Sequence, residues 1–287
     1  MNKNKLVKKS NSLITARYEL SLVEQKLVLT LISMVNQDDE DFHEYRFYIK
    51  DFFKLTDSDS EKNYTFIKNS FKSLLSKPLE IRLDDRNWLL CNWLSSAESN
   101  YNEGYVDVCF DPKLKPFLLK LKECFTTYQL KNILFLHSAY SVRIYEMLKQ
   151  FESTGIKTIS VDELKNILKV SPNFTIGNIN QRILKPAQKE LKEHTDISFT
   201  YDFIKHGRRF TDITFKVKRN TKIPKLLQEE NGKPLTFEQL AETCYQKYQK
   251  TKKCDFKKDN KLNPPYCKLC ANYSKKLEQP TVKSSKA

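Results

Sequence analysis

Asn178, Asn180, Gln181 and Arg182 fall within five consecutive positions. Their types can read base edges in pairs of hydrogen bonds, arginine on guanine and asparagine or glutamine on adenine. Lys185 and Lys189 follow on the same stretch and suit phosphate oxygens, which position a protein on a duplex without reading it. A second cluster, Lys205, His206, Arg208 and Arg209, surrounds Gly207, with no acid between residues 203 and 211. Cations at such a turn can reach a nucleic-acid backbone; a solvated charged loop is the competing reading. The first half offers Lys62, Asn63, Lys68, Asn69 and Lys72. There Asp57, Asp59 and Glu61 dilute the charge, and lysines every few residues also mark the ordinary outer face of a helix.

Other chemistry is sparse. Cys267 and Cys270 have zinc-knuckle spacing, Cys254 lies 12 intervening residues upstream, and Cys244 completes a set of four. A tetrahedral zinc site would fold a segment too poor in apolar residues to fold alone. With only one Cys-x-x-Cys, a tail of free thiols is the alternative. No other cofactor is expected. Cys91, Cys109 and Cys124 stand beside apolar residues and read as reduced core thiols. The five glycines form no phosphate loop. His43, His137, His194 and His206 are isolated in sequence, and His137 reads as a core residue. No nucleophile–base grouping can be assigned, so the chain is expected not to be an enzyme.

The whole composition agrees with the clusters. In 287 residues, 50 Lys+Arg against 35 Asp+Glu leave a net charge of +15. Such a chain needs a polyanionic partner, and nucleic acid is the first candidate because neutralised phosphates release counterions. With 39% hydrophobic and 12% aromatic residues, real cores can form. No apolar run reaches the ~20 residues of a membrane span. Lys3, Lys5, Lys8 and Lys9 have no apolar stretch behind them, so the start is not a signal peptide and a cytoplasmic location is expected.

The elements that must carry these side chains occur twice. Leu20, Val23, Leu27, Leu31, Met34 and Val35 have helical spacing, with Ser21 and Glu24 set as a capping box. A strand running into a short helix follows over 45–55, and Ile67, Phe71, Leu74 and Leu75 line a helix over 62–75 that Pro78 stops. Leu79, Ile81 and Leu83 alternate as a strand, and 105–110 is expected as its return strand after 88–94. The second half repeats the order: a helix over 141–151, a strand and capped short helix over 157–170, and a helix over 176–191 that Pro186 should kink or divide. Strands over 195–204 and 210–217 then flank the cationic turn. Helix, strand, helix, helix and hairpin are the parts of a winged helix. The expected class is therefore α+β, tandem winged-helix domains related by a two-fold internal repeat. The expected divisions are a domain over 6–115, a domain over 116–220 and a basic, cysteine-containing tail over 221–287 with a short helix over 236–248. Two unrelated α+β domains that share an order are the alternative.

Particular stretches then resemble a known family, the iteron-binding plasmid replication initiators. Residues 17–27, RYELSLVEQKL, are similar to the family's opening motif, and residues 128–151, YQLKNILFLHSAYSVRIYEMLKQF, to the start of its second domain. So are 159–164 (ISVDEL), 182–187 (RILKPA), 195–197 (TDI) and the Lys205-x-Gly207-Arg208 turn. The resemblance runs from about residue 6 to 220 and leaves out the tail. It implies tandem winged helices that bind directly repeated double-stranded DNA at a plasmid origin, open adjacent AT-rich DNA, and recruit the host helicase and its loader. It also implies homodimers that repress the chain's own promoter, and no nicking. Arg182 takes the base-reading role on this resemblance, and the 205–209 turn grips the backbone. A purely regulatory repressor remains open. A rolling-circle nickase would need a tyrosine beside a metal-binding histidine pair, which the sequence does not offer.

Overall fold

The computed structural model describes residues 4–36, 38–56, 64–100, 103–171 and 173–220. The chain divides into units at 1–221 and 222–287, and all described residues belong to the first. The expected tail helix and the four tail cysteines lie outside them.

Local signals account for most elements. Strand β1, Leu6–Ser10, ends on a serine whose side chain caps α1, Asn11–Ile14. Helix α2, Leu22–Ile32, starts at the expected capping box: Ser21 Oγ accepts the Glu24 amide at 3.3 Å, and the Ser21 amide donates to the Glu24 carboxylate at 2.6 Å. Strand β2, Tyr45–Tyr48, runs directly into α3, Ile49–Thr56, and α4 follows at Tyr64–Leu75. Then come four strands: β3, Leu79–Arg82; β4, Trp88–Cys91; β5, Leu94–Asn100; and β6, Tyr105–Phe110. A short α5, Lys115–Leu118, leads to β7, Phe125–Gln129, α6, Lys131–Leu134, and α7, Ala139–Lys149. The second copy continues with β8, Ile156–Ser160, and α8, Val161–Leu168. Helix α9, Ile176–Ile179, passes through a π-helical turn, Asn180–Leu184, into α10, Lys185–His194. A long hairpin of β9, Ile197–His206, and β10, Arg209–Arg219, closes it.

The internal repeat is explicit in the sheets. One has the order β2-β6-β5 and the other β8-β10-β9, so in each the second strand of the hairpin sits centrally beside the strand preceding the helix pair. This is the winged-helix arrangement, present twice.

One expected pairing is corrected. Residues 105–110 are not the return strand for 79–83. Strand β3 pairs with β4, Leu79 opposite Cys91, while β6 pairs with β2 and β5. The reason is local. Asp84 accepts the amides of Arg86 and Asn87, both at 2.8 Å, which closes a tight turn between β3 and β4. An Asx turn of this kind closes a hairpin before a partner some twenty residues away can compete. The first winged helix therefore carries an inserted hairpin between α4 and β5.

The two copies share a polar seam. β1 pairs with β7, and β7 lies beyond the division expected at 115/116, so the chain's start is completed by residues from its middle. Lys9 on β1 and Glu146 on α7 are both fully buried and 2.8 Å apart, and Tyr128 donates to the same carboxylate oxygen at 2.5 Å. Arg143 donates to the carbonyls of Ile14, Ala16 and Ile167 at 2.6–3.1 Å and to the Tyr18 hydroxyl. Lys26 donates to the Leu134 carbonyl at 2.7 Å. Burying a charge is costly unless it is paired or hydrogen-bonded. Lys9 and Glu146 pair with each other, while Arg143 and Lys26 are held by carbonyl and hydroxyl oxygens, and Arg143 Nε and Glu146 Oε2 are left without a hydrogen-bond partner.

Candidate nucleic-acid interface

In the second winged helix, α8 is capped by Ser160 and ends on Lys169 in a left-handed conformation, φ +50°. The chain turns and restarts at Thr175, whose hydroxyl accepts the Asn178 amide at 3.2 Å. Ile179, Ile183, Leu184, Ala187 and Leu191 face the core. Gln181, Arg182, Lys185 and Lys189 are exposed; Asn178 and Asn180 are partly buried. Pro186 divides this stretch as expected: α9 ends at Ile179, a widened turn follows, and α10 restarts at Lys185 with the proline in its first turn. A proline ring collides with the carbonyl four residues back and supplies no N–H. The chain widens one turn just before it, where the Lys185 amide bonds to the Asn180 carbonyl five residues back, and helix resumes. Asn180 has a role that its spacing does not reveal. Its Oδ1 accepts from the Tyr201 hydroxyl at 2.5 Å, which ties the widened turn to β9. Burial raises the Tyr201 phenol above its ordinary value, so it stays a donor. Arg182 lies 5.8 Å from the Phe174 ring, while Glu190 accepts the His137 amide at 3.0 Å.

The hairpin extends beyond the body of this domain. His206 pairs with Arg209, leaving Gly207 and Arg208 as a two-residue loop. Gly207 has φ +64°, a conformation that a Cβ would strain. Residues 204–210 are all exposed, so Lys205, Arg208 and Arg209 stand in solvent, Lys205 with its ammonium 4.6 Å from the Phe210 ring.

In the first winged helix, α4 occupies the equivalent position. Ile67, Phe71 and Leu74 are buried and Lys68, Asn69 and Lys72 are exposed, as their spacing predicts. Lys62 and Asn63 lie outside the described residues. Thr65 and Phe66 share the exposed face and are missed when only charged and amide residues are sought. The β5–β6 hairpin is shorter than its counterpart. Residues 98–104, the end of β5 and the link to β6, read ESNYNEG and contain no cation.

Two further expectations change. His137 is exposed rather than in the core, with its ring 5.9 Å from that of His194. Of the three described cysteines only Cys91 is a core thiol, raised to about 11 by burial and then by Asp111; Cys109 is partly buried and Cys124 exposed. Among the described residues, no three His, Cys, Asp or Glu side chains are grouped to hold a metal, and no helix is long and apolar enough to cross a membrane.

Known proteins share this architecture. A replication initiation protein of Escherichia coli is 26% identical over 239 residues, covering 79% of this chain and 74% of its own length. The PI protein of Escherichia coli is 31% identical over 134 residues, 40% of this chain and 44% of that one. Among solved structures, the Pi initiator protein in complex with iteron DNA superposes with a TM-score of 0.64 at 20% identity, covering 77% of this chain and 100% of that one, which shows a shared fold. Family models agree with the duplication seen in the sheets. Residues 6–149 match the initiator replication protein WH1 domain and residues 160–217 the initiator Rep protein WH2 domain, and the chain belongs to that family of replication initiators.

Proposed function

We propose that this chain initiates plasmid replication by binding directly repeated double-stranded DNA sites at an origin with both winged helices. It then opens the neighbouring duplex and recruits the host helicase with its loader. As a homodimer it represses its own promoter, and it acts in the cytoplasm as a DNA-binding protein with no chemical step of its own. One observation carries this reading. In both candidate recognition helices the part that would enter a groove is free of acids: α4 has no Asp or Glu, neither does the stretch from 171 to 189, and Glu190 and Glu193 come only toward the end of α10. In the second domain Gln181 and Arg182 meet base edges, Lys185 and Lys189 meet phosphates, and Asn180, its carbonyl oxygen committed to Tyr201, positions the turn.

The deciding experiment is autonomous replication of a plasmid carrying the gene and a candidate origin. Replication should be sustained and should be lost when the repeats are deleted. Promoter repression without replication would make the chain a regulator. Relaxation of supercoiled origin DNA in the presence of a divalent metal would make it a nickase. On a linear repeat duplex, binding should weaken steeply with salt, with a log–log slope on the order of −6 or steeper at about 0.9 per phosphate.

A further inference from the structure

Helix α4 contains a residue that the fold does not explain. With a step of about 100° per residue, its buried side is Ile67, Ser70, Phe71 and Leu74. Its exposed side, read across the helix, is Lys68, Lys72, Thr65, Asn69 and Phe66. Phe71 is 3% exposed and belongs to the core, whereas Phe66 is 46% exposed in the first turn of the same helix. It stands next to Thr65 in sequence and within reach of Asn69 at i+3, the spacing at which helical side chains meet. Two lysines form the opposite flank, and the helix has no acid to repel a polyanion.

In the major groove the 5-methyl group is the apolar mark of thymine, and phenylalanine and threonine methyls are side chains that pack on it; asparagine pairs with adenine through two hydrogen bonds. We infer that Phe66 is a specificity-determining residue of the first domain, its ring packed on a thymine 5-methyl group while Asn69, nearly one turn on, reads an adenine beside it. The inference rests on the DNA-binding reading of α4 and deepens it. Each bound repeat is then asymmetric, with A·T pairs under the first domain and a guanine under Arg182 of the second.

The test uses the full chain and a duplex that it selects from a random-sequence pool. Each thymine in that duplex is replaced in turn by uracil, which removes the methyl group and keeps the base pairing. The parent protein should bind about fourfold more weakly at one or two of these positions, the effect of losing one methylene-sized contact. Phe66→Ala should bind thymine and uracil forms equally there, with Phe66→Leu in between. Because the residue is exposed, both variants should melt with the parent, and Phe66→Gln serves if either does not. An unchanged thymine-to-uracil ratio in the folded variants, or a parent insensitive to uracil at every position, overturns the inference and leaves DNA binding standing. Selection of no common sequence from the pool would overturn both together.

Discussion

The two winged helices share a sheet order and differ at the tips of their hairpins. In the second domain β9 and β10 run 10 and 11 residues and carry Lys205, Arg208 and Arg209 into solvent. In the first, β5 and β6 run 7 and 6 residues, and residues 98–104, the end of β5 and the link to β6, include Glu98 and Glu103 and no cation. The first domain has instead an inserted hairpin, β3–β4, directed to the seam. Arg17 and Glu80 exchange backbone hydrogen bonds at 2.8 and 3.0 Å, and the Arg17 side chain bridges Glu80 at 3.1 Å and Glu163 of α8 at 3.5 Å. Duplication has kept the scaffold while the electrostatics diverged. The second domain can grip phosphates with both helix and hairpin, and the first has only α4. On the proposed function, this comparison predicts that affinity is concentrated in the second domain, with the first contributing mainly sequence reading.

The largest effect should come from the seam, because it makes two domains one body. Glu146→Ala leaves Lys9 in the core without its partner, which should cost about 3–5 kcal/mol whether the amine stays charged or gives up its proton. Urea unfolding followed by probes in each domain should show one earlier transition. Two separate transitions would mean that the domains are independent and should be compared as separate molecules.

Alkaline pH tests the seam together with the core of the first domain. Burial first, with Glu146 or Asp196 nearby, holds Tyr18, Tyr128 and Tyr145 well above the ordinary phenol value, and Tyr45 is raised to about 12. A raised folded pKa means that the fold prefers the neutral phenol. The stability it contributes is intact below pH ~10, the unfolded value, and is lost as pH rises beyond it. Thermal melting between pH 9 and 12 should therefore fall steeply, and Tyr45→Phe should make the fall shallower. A flat profile would remove the buried phenols from the account.

Arg182→Ala should cost about 1–3 kcal/mol on the specific repeat and flatten the preference at one base pair. Matched specific and scrambled duplexes measure it, with melting temperatures alongside. If the ratio of the two affinities is unchanged, the recognition helix is misplaced. Arg209→Ala should weaken both duplexes alike and reduce the salt slope by roughly one, as expected of a phosphate contact. A loss confined to the specific duplex would make the hairpin tip a reader. The smallest effect is a gain: Glu103→Lys puts a cation on the bare tip of the first domain. It should steepen the slope by at most about 0.9 and strengthen both duplexes slightly. No change would place that tip away from DNA.

Much of this was legible in the residues. Capping by Ser21 and Ser160, the buried faces of α4 and of 176–191, and the cationic loop at Gly207 follow from interactions spanning at most a few positions. The exposure of Gln181, Arg182, Lys185 and Lys189 was legible for the same reason, because exposed and buried sides of a helix follow its period. The return strand for β3 was misjudged because alternation marks a strand without naming its partner, and the short Asp84 turn decided that. Phe66 was overlooked because an aromatic is not among the charged and amide side chains that mark a DNA-reading face, although the period of α4 already placed it off the buried side.

Periodicity, capping and charge, all local properties, determined by themselves that the chain holds two winged helices with basic outer faces. Tertiary structure alone decided the pairing of β1 with β7, the burial of Lys9 against Glu146, and the engagement of Asn180 by Tyr201. These contacts join residues 21 to 137 positions apart, and one partner carries no trace of the other. A charge or an amide finds its place in such a pair only when the folded chain removes water from both sides of it.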